Sequence, residues 1–319
     1  MRNYKSRLIA VLAVVGSLGM GAASAQNFPT KPITMVLSSG SGSSVDIMAR
    51  TLAKVAEKEL GQPVVVSNKP GGDGATAMAE LLAAKPDGYT LWAATKTFPV
   101  ALNTNLKQFK AADFQPLVMV QVDPFALVVQ GNAKWKTLNE FLADAKAKRM
   151  NVGGFGSSSP HGLFNYFLAK NSKANLNWIP HQSGSKALTA LMGGHLDAVV
   201  SNPSSMMSQV KAGTLRILAV ATPERLKDLP NVPTFKEQGF DMVDSQWRGF
   251  FVKAGTPAPI VAKLDAALKR AIESAEFQDY LVKTVQYSGY MGPKEFSAYV
   301  KKEIDAIAPI SDDFLKSIQ

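Results

Sequence analysis

Residues 33–50 read ITMVLSSGSGSSVDIMAR, a pattern that recurs along the chain and predicts its architecture. The apolar run at 33–37 predicts a short buried strand, and the pattern from Ser44 onward predicts a helix. A loop of serines and glycines, 38–43, joins them. Such a loop directs backbone N–H groups and hydroxyls to one place, where the helix dipole favours an anion. The stretch predicts half of an anion-binding cleft, although an ordinary polar connection explains these residues equally well.

The rest of the chain alternates in the same way. Predicted strands lie at 64–66, 89–93, 116–122, 124–130, 151–153, 177–180, 198–200, 215–220 and 247–252. Predicted helices lie at 47–60, 75–84, 138–149, 160–168, 186–192, 259–273, 276–285 and from 293 onward. Strands separated by helices predict an α/β fold with a mainly parallel sheet.

Two consecutive apolar runs, 116–122 and 124–130, indicate the crossing into a second domain. The predicted division is a signal peptide at 1–25, a first domain from 26–123 and 246–319, and a second domain at 124–245. Two medium domains of this size can each bury a core.

Four predicted strand ends carry small hydroxyl residues and glycines at a helix start, at 38–46, 154–161, 183–186 and 201–204. Ligands of open α/β sheets bind beyond the carboxyl ends of the strands, so two such domains would face each other across a cleft. The candidate ligand-binding residues are Ser39, Ser41, Ser43, Ser44, Asp46, Thr95, Thr97, Ser157, Ser158, Ser159, His161, Ser183, Ser185, Ser201, Asn202, Trp247 and Arg248.

Several candidates have a second interpretation. Asp46 is expected to hold its loop at the helix start rather than to contact a ligand. His161 lies either in the cleft or on its rim. Three aromatic residues supply either apolar walls for a ligand or ordinary core: Phe98, Phe155 and Trp247.

The first residues predict export. Arg2, Lys5 and Arg7 precede an apolar run at 8–15, and Ala-Ser-Ala at 23–25 is a cleavage signal. The run is too short to span a membrane, and no other long uncharged apolar run follows it, so no membrane insertion is expected after cleavage. The sequence contains no cysteine, hence neither a lipid-accepting cysteine nor a disulfide.

The charge balance favours small anions as partners. The chain carries 35 Lys and Arg against 25 Asp and Glu, a net charge of +10. These charges are scattered and form no basic block, so nucleic acid is not an expected partner; solubility alone also explains them. With three histidines (His161, His181, His195) in separate segments, we expect no metal site and no cofactor.

The chain resembles the Bug receptors, the substrate-binding proteins of tripartite tricarboxylate transport systems. The matching segments are PTKPI at 29–33, GQPVVVSNKPGG at 61–72, PDGYTL at 86–91, AL at 187–188, GGHLD at 193–197, KAGTLR at 211–216, NVPT at 231–234 and AGTPAPIV at 254–261. The resemblance implies a type II periplasmic binding protein, with two α/β domains, a two-strand hinge and a ligand cleft between them. It also implies a small carboxylate ligand (a dicarboxylate, an amino acid or an aromatic acid) and an inner-membrane tripartite permease or a sensor as partner. We expect a monomer in the periplasm.

The chain departs from the family pattern in two places. The first loop of the family usually runs aromatic-Pro-Gly-Gly with Thr before Asp, whereas residues 39–46 read SGSGSSVD. Arg248 follows Trp247, where an apolar residue is common. We hypothesise that Arg248 pairs with a second carboxylate of the ligand, since a guanidinium suits bidentate contact; a surface arginine beside the hinge is the other interpretation.

Two other classes fit less well. A secreted serine-dependent hydrolase would need Gly-x-Ser-x-Gly at a strand-to-helix turn, but residues 39–42 lack the leading glycine and 156–160 lack the closing one. A nucleotide-binding domain would need a third glycine in the stretch 40–45. A receptor would be stabilised by a small acid and return it unchanged, whereas an enzyme would convert it.

Overall fold

The computed structural model of the chain describes residues 28–318; the predicted signal peptide therefore lies outside the described residues. The strands are β1 Ile33–Leu37, β2 Val64–Asn68, β3 Thr90–Thr95, β4 Phe114–Pro124, β5 Ala126–Gln130, β6 Met150–Phe155, β7 Leu176–His181, β8 Ala198–Ser201, β9 Leu215–Val220, β10 Ser245–Lys253 and β11 Tyr287–Met291. The α-helices are α1 Ser44–Leu60, α2 Ala75–Ala83, α3 Thr97–Asn103, α4 Leu138–Ala147, α5 Pro160–Ser172, α6 Gly184–Met192, α7 Met207–Lys211, α8 Ala258–Glu273, α9 Ala275–Thr284, α10 Pro293–Ile307 and α11 Ser311–Ser317.

The strands form two open sheets. The first has the order β11-β4-β10-β3-β1-β2, and the second has the order β7-β6-β8-β5-β9. We call each sheet with the helices packed on it a lobe, the first lobe and the second lobe. Each sheet carries buried apolar side chains on both faces. The predicted architecture of two α/β domains is confirmed.

The expectation of mainly parallel sheets is wrong, because both sheets are mixed. β1 runs parallel to β2 and β3, and β6 runs parallel to β7 and β8. In contrast, β10 is antiparallel to β3 and β4, and β5 is antiparallel to β8 and β9. The chain leaves the first sheet through β4 and returns to it through β10. Because β4 and β10 are neighbours and run in opposite directions, their pairing is antiparallel.

Two chain segments cross between the lobes side by side. The backbone N–H of Phe125 donates to the carbonyl of Asp244 at 3.2 Å, and Ser245 pairs with Pro124. On the other side, the N–H of Ala221 donates to the carbonyl of Phe125 at 2.8 Å. Phe125 is fully buried at this point. The crossing is therefore a two-strand hinge.

The start of the fold follows from local rules. Ser43 caps α1 by accepting a hydrogen bond from the N–H of Asp46 at 3.2 Å, and Gly61 ends the helix in the left-handed conformation with φ of 66°. Met48 and Leu52 of α1 are fully buried against the first sheet. Burying each such side chain contributes about 1.5–3 kcal/mol, which fixes this helix on the sheet.

The last helix reaches the second lobe. Phe314 of α11 is fully buried in a cluster with Leu163 of α5, and its ring lies 5.9 Å from the ring of Tyr166. The prediction counted residues 246–319 with the first lobe. The C-terminal helix contacts both lobes, since the same cluster includes Val100 and Ile307 of the first lobe beside Leu163 of the second.

Two elements were not predicted. β11 contains Ser288 and Gly289 and has no clear alternation of apolar residues, and it lies at the edge of the first sheet beside β4. The short helix α3 follows β3 directly. Within the described part of the chain, no helix is both long and apolar enough to cross a bilayer.

A buried lysine joins three elements near the hinge. The ammonium of Lys96 donates to Glu303 of α10 at 2.6 Å and to Asp244 beside the crossing. Glu303 also accepts a hydrogen bond from the indole N–H of Trp247 at 2.6 Å. Burial alone would lower the pKa of Lys96, but the carboxylates of Asp244 and Glu303 raise it above its usual value. Lys96 is therefore charged and paired with two carboxylates.

We expect Lys96→Met to lower the free energy of unfolding by about 3–5 kcal/mol, because it leaves the partly buried carboxylates of Asp244 and Glu303 without their cation. Urea unfolding at 25 °C measures this. The matched control is Lys301→Met, which removes an exposed pair with Asp305 (N–O distance 2.5 Å) and should cost less than about 1 kcal/mol. Equal losses for the two variants would contradict a structural role for the Lys96 cluster.

Candidate functional site

A cavity of about 670 Å³ lies between the lobes and takes its walls from both. We call it the central cavity. Each of the four predicted strand ends contributes to it. The first supplies Ser39, Ser43 and Ser44; the others supply Phe155 and His161, Gly184 and Ser185, and Ser201 and Asn202. The predicted strand ends therefore meet at one place.

Asp46 fixes the loop 38–43 through hydrogen bonds on the side away from the central cavity. Its carboxylate accepts hydrogen bonds from the N–H of Gly42 and the amide of Asn68, both at 2.9 Å, and from Nε of Arg50 at 3.0 Å. The Arg50 hydrogen bond is the main reason that the pKa of Asp46 falls to about 2. Asp46 is buried and lies outside the wall of the central cavity. Its position fits the expected role at the helix start.

Two serines of the second lobe cap helices. Ser159 accepts a hydrogen bond from the N–H of Gly162 at 3.1 Å, and Ser183 accepts one from the N–H of Lys186 at 3.2 Å. These bonds fix the first turns of α5 and α6, so that His161 and Ser185 reach the cavity wall. Ser159 and Ser183 therefore position residues of the cavity wall without lining the cavity themselves.

Arg248 is the charged residue buried in the cavity wall. It lies on β10 opposite Thr95 of β3 and is 6% exposed. Its Nη2 donates to the hydroxyl of Ser44 at 3.1 Å. Within residues 28–318, its Nε and Nη1 are buried and have no hydrogen-bond partner. A buried guanidinium with two unpartnered nitrogens is costly unless an anion completes its contacts.

The nearest carboxylate to Arg248 is Asp123 on β4. The distance from Nη2 of Arg248 to Oδ2 of Asp123 is 3.9 Å, which is long for an ion pair. Oδ2 accepts a hydrogen bond from Ser204 of the second lobe at 2.6 Å. Burial raises the pKa of Asp123 to about 6, although Arg248 and Ser204 oppose the rise. The two charges compensate each other only in part.

A smaller cavity of about 360 Å³ adjoins the central one. Both have Ser44, Asn202, Ser205 and Arg248 in their walls, and Asp123 lies only in the smaller. Arg248 therefore separates Asp123 from the central cavity.

The predicted site residues divide into two groups. Ten of them line the central cavity: Ser39, Ser43, Ser44, Thr95, Thr97, His161, Ser185, Ser201, Asn202 and Arg248. Seven do not: Ser41, Asp46, Ser157, Ser158, Ser159, Ser183 and Trp247. Trp247 is fully buried, because neighbouring residues of a strand point to opposite faces and its face is the one toward α10. Phe98 and Phe155, the other two aromatic candidates, do line the cavity.

Several residues of the cavity wall were not predicted from the sequence. The segment 71–74, which follows β2, lines the cavity, and so do Ser38, Ser205 and Gln246. Gly74 has φ of +104°, and a Cβ there would lie 3.2 Å from the hydroxyl of Ser38. Only glycine allows this close approach without strain. The Gly-Gly-Asp-Gly run, separated by four residues from the predicted strand 64–66, was the signal that could have identified this wall.

The chemistry of the cavity is suited to holding an anion. His161 is the histidine in its wall, and its Nε2 is bonded to Asn202 at 3.0 Å rather than to a serine. Nucleophilic catalysis would require a serine hydroxyl within reach of that base. No group of three His, Asp or Glu residues that could hold a metal occurs among residues 28–318. What the wall offers is hydroxyls, glycine-rich backbone and a guanidinium.

Comparisons with known proteins agree with this geometry. A family model described as "Tripartite tricarboxylate transporter family receptor" matches residues 48–313. Protein BugT of Bordetella pertussis is 31% identical over 280 residues, 84% of this chain and 85% of BugT. A solved TctC solute-binding protein from Polaromonas, without ligand, is 29% identical with a TM-score of 0.82, over 90% of this chain and 99% of that one. MatC from Rhodopseudomonas palustris, solved with bound malate, is 26% identical with a TM-score of 0.73, over 89% of this chain and 100% of MatC. The resemblance predicted from the sequence is confirmed.

Asp123 should make stability depend on pH. The folded protein keeps the proton of Asp123 up to about pH 6, whereas the unfolded chain releases it near pH 4, so the free energy of unfolding falls as the pH rises between these values. We expect this fall to be about 3 kcal/mol smaller in Asp123→Asn, which cannot titrate. Urea unfolding of both proteins from pH 4 to 7 measures the difference. Parallel stability curves would show that Asp123 titrates normally.

Proposed function

Because the chain belongs to the tripartite tricarboxylate transporter receptor family, we propose that it is a periplasmic receptor for a small carboxylate. The ligand binds in the central cavity and leaves it chemically unchanged. The observation that carries the proposal is Arg248, a buried guanidinium in the wall of that cavity with two nitrogens lacking a partner among the described residues. A carboxylate is the group that best completes such a guanidinium.

Shape and charge support a small acid. A cavity of about 670 Å³ falls in the range of small-molecule sites. Thr95, Ser185 and Ser201 add hydroxyls to the wall of the same cavity. The bound malate of the related MatC is a small carboxylate of the proposed class. We propose the ten predicted residues that line the cavity as the ligand contacts. Asp46, Ser159 and Ser183 hold the loops that carry them.

We further propose that binding closes the lobes about the two-strand hinge. The proposed domain boundaries are 123/124 and 245/246, where the crossing segments lie side by side. A ligand that contacts both walls shifts the equilibrium toward the closed form by its higher affinity for that form. The closed monomer would then be recognised by a tripartite membrane permease or a sensor.

A receptor is expected to be stabilised by its ligand and to return it intact. A panel of dicarboxylic, amino and aromatic acids is screened by thermal shift, and any hit is tested by urea unfolding. At an acid concentration 100 times Kd, the free energy of unfolding should rise by about 2.7 kcal/mol. NMR of the acid after prolonged incubation should show the starting compound alone. A converted product would favour the serine-dependent hydrolase instead.

Arg248→Ala should weaken binding of the hit at least about tenfold, since it removes a charge-assisted hydrogen bond from a buried site. Arg248→Lys keeps the charge but not the planar group, so an intermediate affinity is expected. Isothermal titration calorimetry measures both. The control is Arg225→Ala, whose side chain pairs with Glu237 on the surface at 2.9 Å.

Arg248→Ala alone leaves the buried carboxylate of Asp123 without its cation and could destabilise the fold. The double variant Asp123→Asn with Arg248→Ala avoids this, because it removes both buried charges together. Unchanged affinity in a folded Arg248→Ala protein would remove Arg248 from the site.

A further inference from the structure

The hydrogen bonds around His161 determine which ring nitrogen carries the proton. The amide nitrogen of Asn202 donates to the backbone carbonyls of Asp123 at 2.8 Å and of Pro124 at 3.0 Å. Its oxygen therefore faces His161, and Nε2 of His161 must donate to it across 3.0 Å. If the ring is neutral, Nδ1 is left as an acceptor with a free lone pair.

The surroundings keep that ring neutral. His161 is 8% exposed, and the ring of Phe125 lies 4.8 Å from it. Burial is the main reason that the pKa of His161 falls to about 4; the hydrogen bond with Asn202 and the charge of Asp244 oppose this fall, and the charge of Arg248 adds a smaller lowering. At neutral pH, Nδ1 can accept a hydrogen bond but cannot donate one.

Nδ1 of His161 and Oε1 of Gln246 have no partner among the residues that the structure describes, and both are buried. Both residues belong to the wall of the central cavity, as does Arg248. A buried acceptor without a partner costs about 1–3 kcal/mol. The wall thus combines a guanidinium, which requires an anion, with acceptors, which require a donor.

We propose that the ligand carries a hydrogen-bond donor, a hydroxyl or an ammonium group, on the carbon next to a carboxylate, and that Nδ1 of His161 accepts from it. This inference rests on the proposed function, because it names the class of acid that the receptor selects. The unsubstituted acid would bind with the acceptor still unpaired. A site built to pair a polar group rejects an analogue that lacks the group more strongly than an apolar pocket can.

Two matched series of acids test the inference by calorimetry on the mature protein. One series is succinate, malate and aspartate; the other is 3-phenylpropanoate, 3-phenyllactate and phenylalanine. In the series that binds, we expect the hydroxy or amino member to bind about tenfold tighter or more than the plain acid. The hydroxy and amino members distinguish the two sources of the donor.

His161→Phe tests the acceptor itself. It should reduce the preference for the donor-bearing acid to about threefold or less, because neither acid then finds an acceptor at this position. His161→Asn retains an acceptor close to the backbone and should preserve the preference. The control His195→Phe makes the same substitution at an exposed histidine outside the cavity and should behave like wild type. Because the preference is a ratio within one protein, a general loss of folding does not imitate the result.

Equal binding of plain and donor-bearing acids by the wild type would overturn the inference and leave the receptor function intact. A preference that survives in folded His161→Phe would remove His161 as the acceptor. If no member of either series binds while other acids in the wider panel do, the inference is also wrong. If no acid binds at all, the proposed function itself fails.

Discussion

The structure depends on how one guanidinium is kept charged inside the protein. Arg248 lies between two cavities, with Ser44 on one nitrogen and Asp123 too far away to form a close ion pair. Removing a charge from water costs several kcal/mol unless hydrogen bonds and an opposite charge replace the solvent. Here the protein supplies only part of that replacement. A ligand that supplies the missing hydrogen bonds and charge binds more tightly, because the guanidinium is already removed from water in the folded protein.

The two buried charges, Arg248 and Asp123, lie next to the two-strand hinge. Arg248 and Asp123 lie on adjacent antiparallel strands, β10 and β4, next to the segments that cross between the lobes. Ser204 of the second lobe binds Asp123, and Asn202 binds the backbone at the crossing. A change in the angle between the lobes would therefore alter the contacts of Asp123, and with them the balance of charge at Arg248. The Lys96 cluster holds α10 against the same crossing from the other side.

The serines that suggested a binding site turn out to have two distinct tasks. Ser43, Ser159 and Ser183 accept hydrogen bonds from helix N–H groups, and this is a structural use of their hydroxyls. Ser43 also lines the central cavity, whereas Ser159 and Ser183 do not, and their neighbours His161 and Ser185 line it instead. Local sequence shows that a serine lies at a helix start, since capping depends on residues three positions apart. It does not show which serine of a run becomes the cap, because that depends on where the helix is seated on its sheet.

The sequence alone determined the α/β alternation, the strand–loop–helix unit at 33–50, the four polar strand ends and the family. These features depend on contacts between residues close together in the chain, or on segments that recur in relatives. Tertiary structure alone decided the antiparallel returns in both sheets, the wall at 71–74, the packing of α11 on the second lobe and the burial of Arg248 beside Asp123. The neutral ring of His161 belongs with these. Its state follows from burial and from the partners of Asn202, and residues distant in sequence come into contact only when the chain is folded.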